Sequence, residues 1–191
     1  MDVEELRPGL WRWTAIHPDW KEGDEWAQEV CSVYYEAPDA TVLFDPLVPP
    51  ERERERFFEA LDRDVERRGL PVAILLTVPW HERSAAELRV RYAATDAMPD
   101  GVEPFAVREV DETLWWLPAH GALVAGDVLL GTPQGAVSLC PDSWLAGRSS
   151  PASIRAALRP LLELPIELIL VAHGEPVRER AVDALAAALR A

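Results

Sequence analysis

The sequence predicts an α+β protein in which two β-sheets carry helices on their outer faces. Three observations predict it. The 191 residues, 49% of them hydrophobic, suffice for one sizeable core that needs no staples. The elements run strands then helix, followed again by strands then helix, an order that suits two stacked sheets with helices outside. Apolar runs also end in polar residues at Asp45, across Thr77–Arg83, at Gly126-Asp127 and at His173-Gly174. A single domain over residues 1–191 is expected.

Taken in order, Leu10–Ile16 and Glu29–Glu36 carry the Trp, Val and Tyr of strands, and Thr41–Phe44 is a short β-branched and aromatic run closing at Asp45-Pro46. Together they read as an antiparallel meander. Pro49-Pro50 opens a helix over Glu51–Arg68, where Phe57, Phe58, Leu61 and Val65 recur at helical spacing and Gly69 stops it. The alternating Glu51–Arg56 run fits a solvated helix face with i,i+4 pairs. Val72–Thr77 reads as a buried strand and Ser84–Tyr92 as a helix. Thr113–Leu117 with Ala122–Leu130 reads as a hairpin turned by His120-Gly121. Pro151–Leu162 is helical, Ile166–Ala172 a buried strand and Val177–Ala191 a closing helix.

Composition excludes several classes. With 33 acidic against 19 basic residues the net charge is -14, which repels polyanions and argues against nucleic-acid partners. Apolar runs such as Val72–Val78 and Leu161–Ala172 stay far below the roughly 18 residues of a membrane span. The N-terminus, Met1-Asp2-Val3-Glu4-Glu5, is acidic where a secretory signal is basic then apolar, so a cytoplasmic location is expected. Cys31 and Cys140 stand in no C-x-x-C or ligand cluster and read as buried free thiols. No Gly-x-Ser-x-Gly elbow occurs, and Ser84 and Ser143 lack a nearby His-and-acid arrangement, so a serine hydrolase is unsupported.

Three segments carry a resemblance. Leu43-Phe44-Asp45-Pro46, Ala122-Leu123-Val124-Ala125-Gly126-Asp127 and Ile169-Leu170-Val171-Ala172-His173-Gly174-Glu175-Pro176, with Leu75-Leu76-Thr77 before a polar loop, resemble the strand ends of the metallo-β-lactamase fold superfamily in order and spacing. The resemblance covers nearly the whole chain and implies a four-layer αββα sandwich. It also implies that Asp45 is a structural acid beside a metal cleft, that Asp127 occupies the slot of a metal-bridging Asp, and that His173 occupies the slot of a metal-ligating His.

The resemblance departs where the family bears H-x-H-x-D-H, because those slots read Val78, Trp80, Glu82 and Arg83. Val78 and Trp80 offer no ligand atom, and Arg83 is permanently cationic. A further family His should fall near Arg108-Glu109, where none is present. The candidate ligands are therefore His81, Glu82, Asp127 and His173, and Asp45, Trp80, His81, Glu82, Arg83 and Arg108 are cleft candidates. Asp45, His81, Asp127 and His173 are expected to converge.

Two chemical readings follow. One His and two or three carboxylates make a mononuclear site for Zn, Mn or Fe, with zinc the first expectation, because a catalytic metal needs only three protein ligands and an open position. In the favoured reading, Arg83, and Arg108 less securely, pair with Asp127 or Glu82 and replace the metal, leaving no cofactor. The corresponding functions are a hydrolase of ester, thioester or lactam type, or a non-catalytic relative binding a small molecule or a protein. His17 and His120 read as loop and turn residues. Of the eight Trp residues, Trp11, Trp13, Trp20 and Trp26 crowd the N-terminal segment, and most read as core.

Overall fold

A computed structural model describes every residue of the chain except Ala146, Arg148 and Ala191. The chain forms two compact units, Met1–Leu76 with Trp80–Val102, and Thr77–Pro79 with Glu103–Ala191.

The first unit is built on a five-stranded sheet of β1 (Asp2–Arg7), β2 (Leu10–Ile16), β3 (Glu29–Glu36), β4 (Thr41–Phe44) and β5 (Val72–Leu75), in that spatial order. The first three pairings are antiparallel, and β4 pairs with β5 in parallel from Thr41↔Val72 to Phe44↔Leu75. That parallel step requires a crossover, supplied by α1 (Glu51–Arg68). Glu51 and Glu53 in its first turn and Arg67 and Arg68 in its last suit the helix dipole. Gly69 ends it in the left-handed conformation at φ 60°, donating its N–H to the Val65 carbonyl. A short 3₁₀ turn at Pro79–Glu82 precedes α2 (Ala85–Tyr92). Trp13, Tyr34, Leu43 and Ile74 of the sheet pack with Phe57 and Leu61 of α1 and with Ala85 and Leu88 of α2. Each Leu, Ile or Phe side chain among them stabilises by about 1.5–3 kcal/mol when fully buried.

The second unit holds a four-stranded sheet in the order β11-β8-β7-β6, made by β6 (Glu103–Val107), β7 (Glu112–Leu117), β8 (Ala122–Ala125) and β11 (Leu168–Val171). A two-stranded ribbon joins β9 (Leu129–Gly131) to β10 (Val137–Leu139). Its helices are α3 (Asp142–Leu145), α4 (Pro151–Leu158) and α5 (Ala181–Ala188). Leu114, Trp116, Leu123, Ile169 and Val171 pack in one core with Ile154 and Leu158 of α4 and Ala181 and Leu185 of α5.

Several expected elements change at their ends, for identifiable reasons. The hairpin strand expected over Ala122–Leu130 splits into β8 and β9, because the amides of Gly126, Asp127 and Val128 turn to the Glu112 side chain. The helix expected over Pro151–Leu162 stops at Leu158 and continues as a 3₁₀ turn, Arg159–Glu163, that contains Pro160. The closing helix begins at Ala181, since Val177 exchanges two 2.9 Å backbone hydrogen bonds with Ile169. Strand β1, whose residues are mostly charged, and strand β6, which contains Pro104, were not expected. Each is an edge strand, where charge and proline are tolerated. Arg54 of the alternating run pairs with Glu87 of α2. No helix among the described residues is long and apolar enough to cross a membrane.

Candidate metal centre

In the second unit, parallel pairing fixes the key geometry. β8 and β11 run side by side with Ala125 opposite Val171, and the Ala172 N–H donates to the Ala125 carbonyl at 3.1 Å. Asp127 and His173 each lie two residues beyond that last pair, so the register brings them out together at the carboxyl ends of the strands. Their side chains meet, His173 Nε2 lying 3.3 Å from Asp127 Oδ1, with 12% and 18% of the two side chains exposed.

Three contacts hold the two turns. Glu112, 3% exposed at the start of β7, accepts from Gly126 N at 2.8 Å on Oε1, and from Asp127 N at 3.0 Å and Val128 N at 2.8 Å on Oε2. Gly126 sits so close to Thr77 that a Cβ there would meet Thr77 Oγ1 at 2.3 Å. Thr77 is itself tied to β7, its carbonyl accepting from Thr113 N at 2.8 Å. On the other side, Gly131 N donates to the His173 carbonyl at 2.9 Å. Beside the His173 imidazole stands Trp144 of α3, edge-on at 5.8 Å between ring centroids. Burial, reinforced by the negative charges of Glu112 and Asp127, pushes the Cys140 thiol up to about 11.

In the first unit, Asp45 and His81 are both buried and meet directly, with His81 Nδ1 2.9 Å from Asp45 Oδ2. A carboxylate only accepts, so this contact makes Nδ1 the donor and leaves the ring lone pair of the neutral tautomer on Nε2. Asp45 follows β4 with φ 45° and is fixed through its backbone. Its carbonyl accepts from Ser32 Oγ at 2.7 Å and from Arg83 Nη1 at 2.9 Å. Arg83, itself at φ 38°, also donates from Nη1 to the Cys31 carbonyl at 2.9 Å. Ser84 adds two ties, its N–H donating to the Pro46 carbonyl at 3.1 Å and its Oγ accepting from Val48 N at 2.9 Å.

The expected residues thus divide. The structure pairs Asp45 with His81 and Asp127 with His173. Glu82, an expected ligand, is exposed and bonded to Arg89 of α2 at 2.6 Å. Arg83 donates to the main-chain carbonyls of Cys31 and Asp45. Arg108 lies exposed in the turn after β6, Val78 is buried and Trp80 is 52% exposed. Sequence reasoning missed Glu112, Ser32 and Gly131. Glu112 had one available signal, an acid heading the apolar run Leu114–Leu117.

Asp127 and His173 fit a metal by donor type and by spacing. Two ligand atoms bound at 2.0–2.1 Å in tetrahedral geometry stand about 3.3 Å apart. The observed separation is 3.3 Å.

No family model matches the chain, and no curated protein matches it. Solved structures do. The metallo-β-lactamase IND-7 superposes with a TM-score of 0.62 at 15% identity, covering 100% of this chain and 98% of that one. The chain has the metallo-β-lactamase fold. The metallo-β-lactamase of Erythrobacter litoralis gives a TM-score of 0.61 at 13% identity, covering 98% of this chain and 91% of that one. FIM-1 of Pseudomonas aeruginosa, solved in a mono-zinc form, gives 0.53 at 13% identity, covering 99% and 94%. At these identities the likeness establishes the fold, and function rests on the site.

Proposed function

We propose that this metallo-β-lactamase-fold protein binds one divalent metal ion, zinc first, on Asp127 and His173, and uses it to hydrolyse a small ester, thioester or lactam. The observation that carries the reading is the 3.3 Å approach of Asp127 Oδ1 to His173 Nε2, the edge of a tetrahedral zinc site. Within the first unit, His81 has its Nδ1 held by Asp45, the carboxylate–imidazole arrangement that orients ligating histidines and raises their basicity. Bound there, the ion supplies Lewis acidity and a water acidified to a pKa of about 7.

The chain's own residues divide the remaining work. Asp45 orients His81, and Arg83 and Ser32 hold the Asp45 backbone. The main-chain ties of Asp127 and His173 keep both donors in place. Trp144, edge-on to His173, sets an aromatic ring beside the site that suits an uncharged or aromatic group. The net charge of -14 disfavours polyanionic substrates.

A second reading is supported by Val78 and Trp80, which stand in two slots where the resemblance implies ligands. In that reading the protein is a non-catalytic binder of a small molecule or protein. The test is hydrolysis of chromogenic ester, thioester and β-lactam panels by protein loaded with Zn, Mn or Fe. Turnover abolished by a chelator and by His173→Ala supports the hydrolase. Metal-loaded protein without turnover on any panel favours the binder.

A further inference from the structure

We propose that Glu112 is a positioning residue for Asp127, setting the carboxylate of that ligand against His173 by capturing the backbone of its turn. The inference rests on the metal reading above and assigns a function to a buried acid that the site chemistry does not use.

Three consecutive amides, Gly126, Asp127 and Val128, converge on the two oxygens of one side chain. Main-chain donors so arranged form an anion-binding concavity, and here the anion is built into the chain. Gly126 and Val128 are buried, so their amides need a partner from the chain itself, and only Asp127 is partly exposed. Glu112 reaches the turn from the start of the neighbouring strand at 3% exposure. The opposite side of the turn is closed by Thr77, because even a Cβ on Gly126 would lie 2.3 Å from its Oγ1. Held from both sides, the Asp127 backbone has one seat, and the side chain leaves it toward His173 Nε2.

Thr77 carries the same constraint to the start of the next loop. It hydrogen-bonds to Thr113, the residue after Glu112. Glu112-Thr113 therefore fixes the Gly126–Val128 turn with one residue and Thr77 with the other. The acid also adds a fixed negative charge behind a cation site, which favours the bound ion further.

The test is the zinc dissociation constant of the full chain, measured by competition with a chromophoric chelator, together with the visible spectrum of the cobalt(II)-loaded protein. Glu112→Gln keeps the shape but turns one acceptor oxygen into an amide donor facing N–H groups. It should weaken zinc by about 10–100-fold, the range typical for residues that orient ligands, and should shift the cobalt bands. Ile154→Ala, a core change on α4 that removes none of the Glu112 hydrogen bonds, should lower the melting temperature yet leave zinc affinity within about twofold. Glu112→Asp withdraws the carboxylate by one methylene and should fall between wild type and Glu112→Gln. It also serves if Glu112→Gln does not fold.

Wild-type affinity in both Glu112 variants, or an equal loss in Ile154→Ala, overturns the inference while leaving the metal site standing. A wild-type chain that binds no zinc overturns the metal reading and this inference together.

Discussion

Gly131→Ala probes the join between β9 and the His173 turn. An added Cβ at Gly131 would lie 2.0 Å from the Glu175 carbonyl oxygen, 2.7 Å from Glu175 N and 2.8 Å from its carbonyl carbon. All three atoms are backbone, so no side chain can rotate away. Reaching ordinary contact at about 3.4 Å requires the strand and the turn to part by about 1.4 Å, which breaks the 2.9 Å bond from Gly131 N to the His173 carbonyl. Overpacking of this kind costs about 1–3 kcal/mol and the lost hydrogen bond about 1 more. The sum, about 2–4 kcal/mol, lowers the melting temperature by roughly 5–15 °C for a chain of this length. The assay is thermal unfolding followed by circular dichroism, beside Gly135→Ala as comparator. Gly135 has φ 70° but nothing within 4 Å of its added Cβ, so only backbone strain of about 1 kcal/mol applies. A melting temperature for Gly131→Ala within 2 °C of wild type, or no lower than that of Gly135→Ala, would refute the reasoning.

Other expectations follow from the same contacts. Arg83→Ala removes two charged hydrogen bonds to main-chain carbonyls and should cost about 2–4 kcal/mol in urea unfolding, with Arg83→Lys recovering part; a loss under 0.5 kcal/mol would show that Arg83 does not secure Asp45. The Cys140 thiol is raised from 9.0 to about 11 in the fold, so its contribution is fully present below pH 9 and is lost as pH rises toward 11. Urea unfolding across that range should show a falling stability that Cys140→Ala flattens, and equal slopes in the two proteins would contradict the burial account. The same thiol should resist iodoacetamide at pH 8 in the native protein and react readily in denaturant, as followed by mass spectrometry.

The strand cores were legible because periodicity and β-branched content record burial directly. β2, β3, β4 and α1 follow the expected boundaries, and Gly69 marks the end of α1 as a left-handed cap. The ends of β5, β8 and β11 were overextended, since a strand stops where its amides find other partners, and composition does not show that Glu112 captures three of them. Asp127 and His173 were legible as a pair because both close apolar runs, and parallel register does the rest. The carbonyls of Cys31 and Asp45 that Arg83 reaches were not legible, because they lie 52 and 38 positions away in the chain. Nor was the partner of the exposed Glu82, Arg89, seven residues further along the chain.

The most direct test of the metal site is elemental analysis of the full chain after zinc loading and gel filtration, alongside Asp127→Ala and His173→Ala. The account predicts about one zinc per wild-type chain and loss of that zinc in Asp127→Ala and His173→Ala. Two tightly held ions, none at all, or one ion that survives both Asp127→Ala and His173→Ala would contradict it.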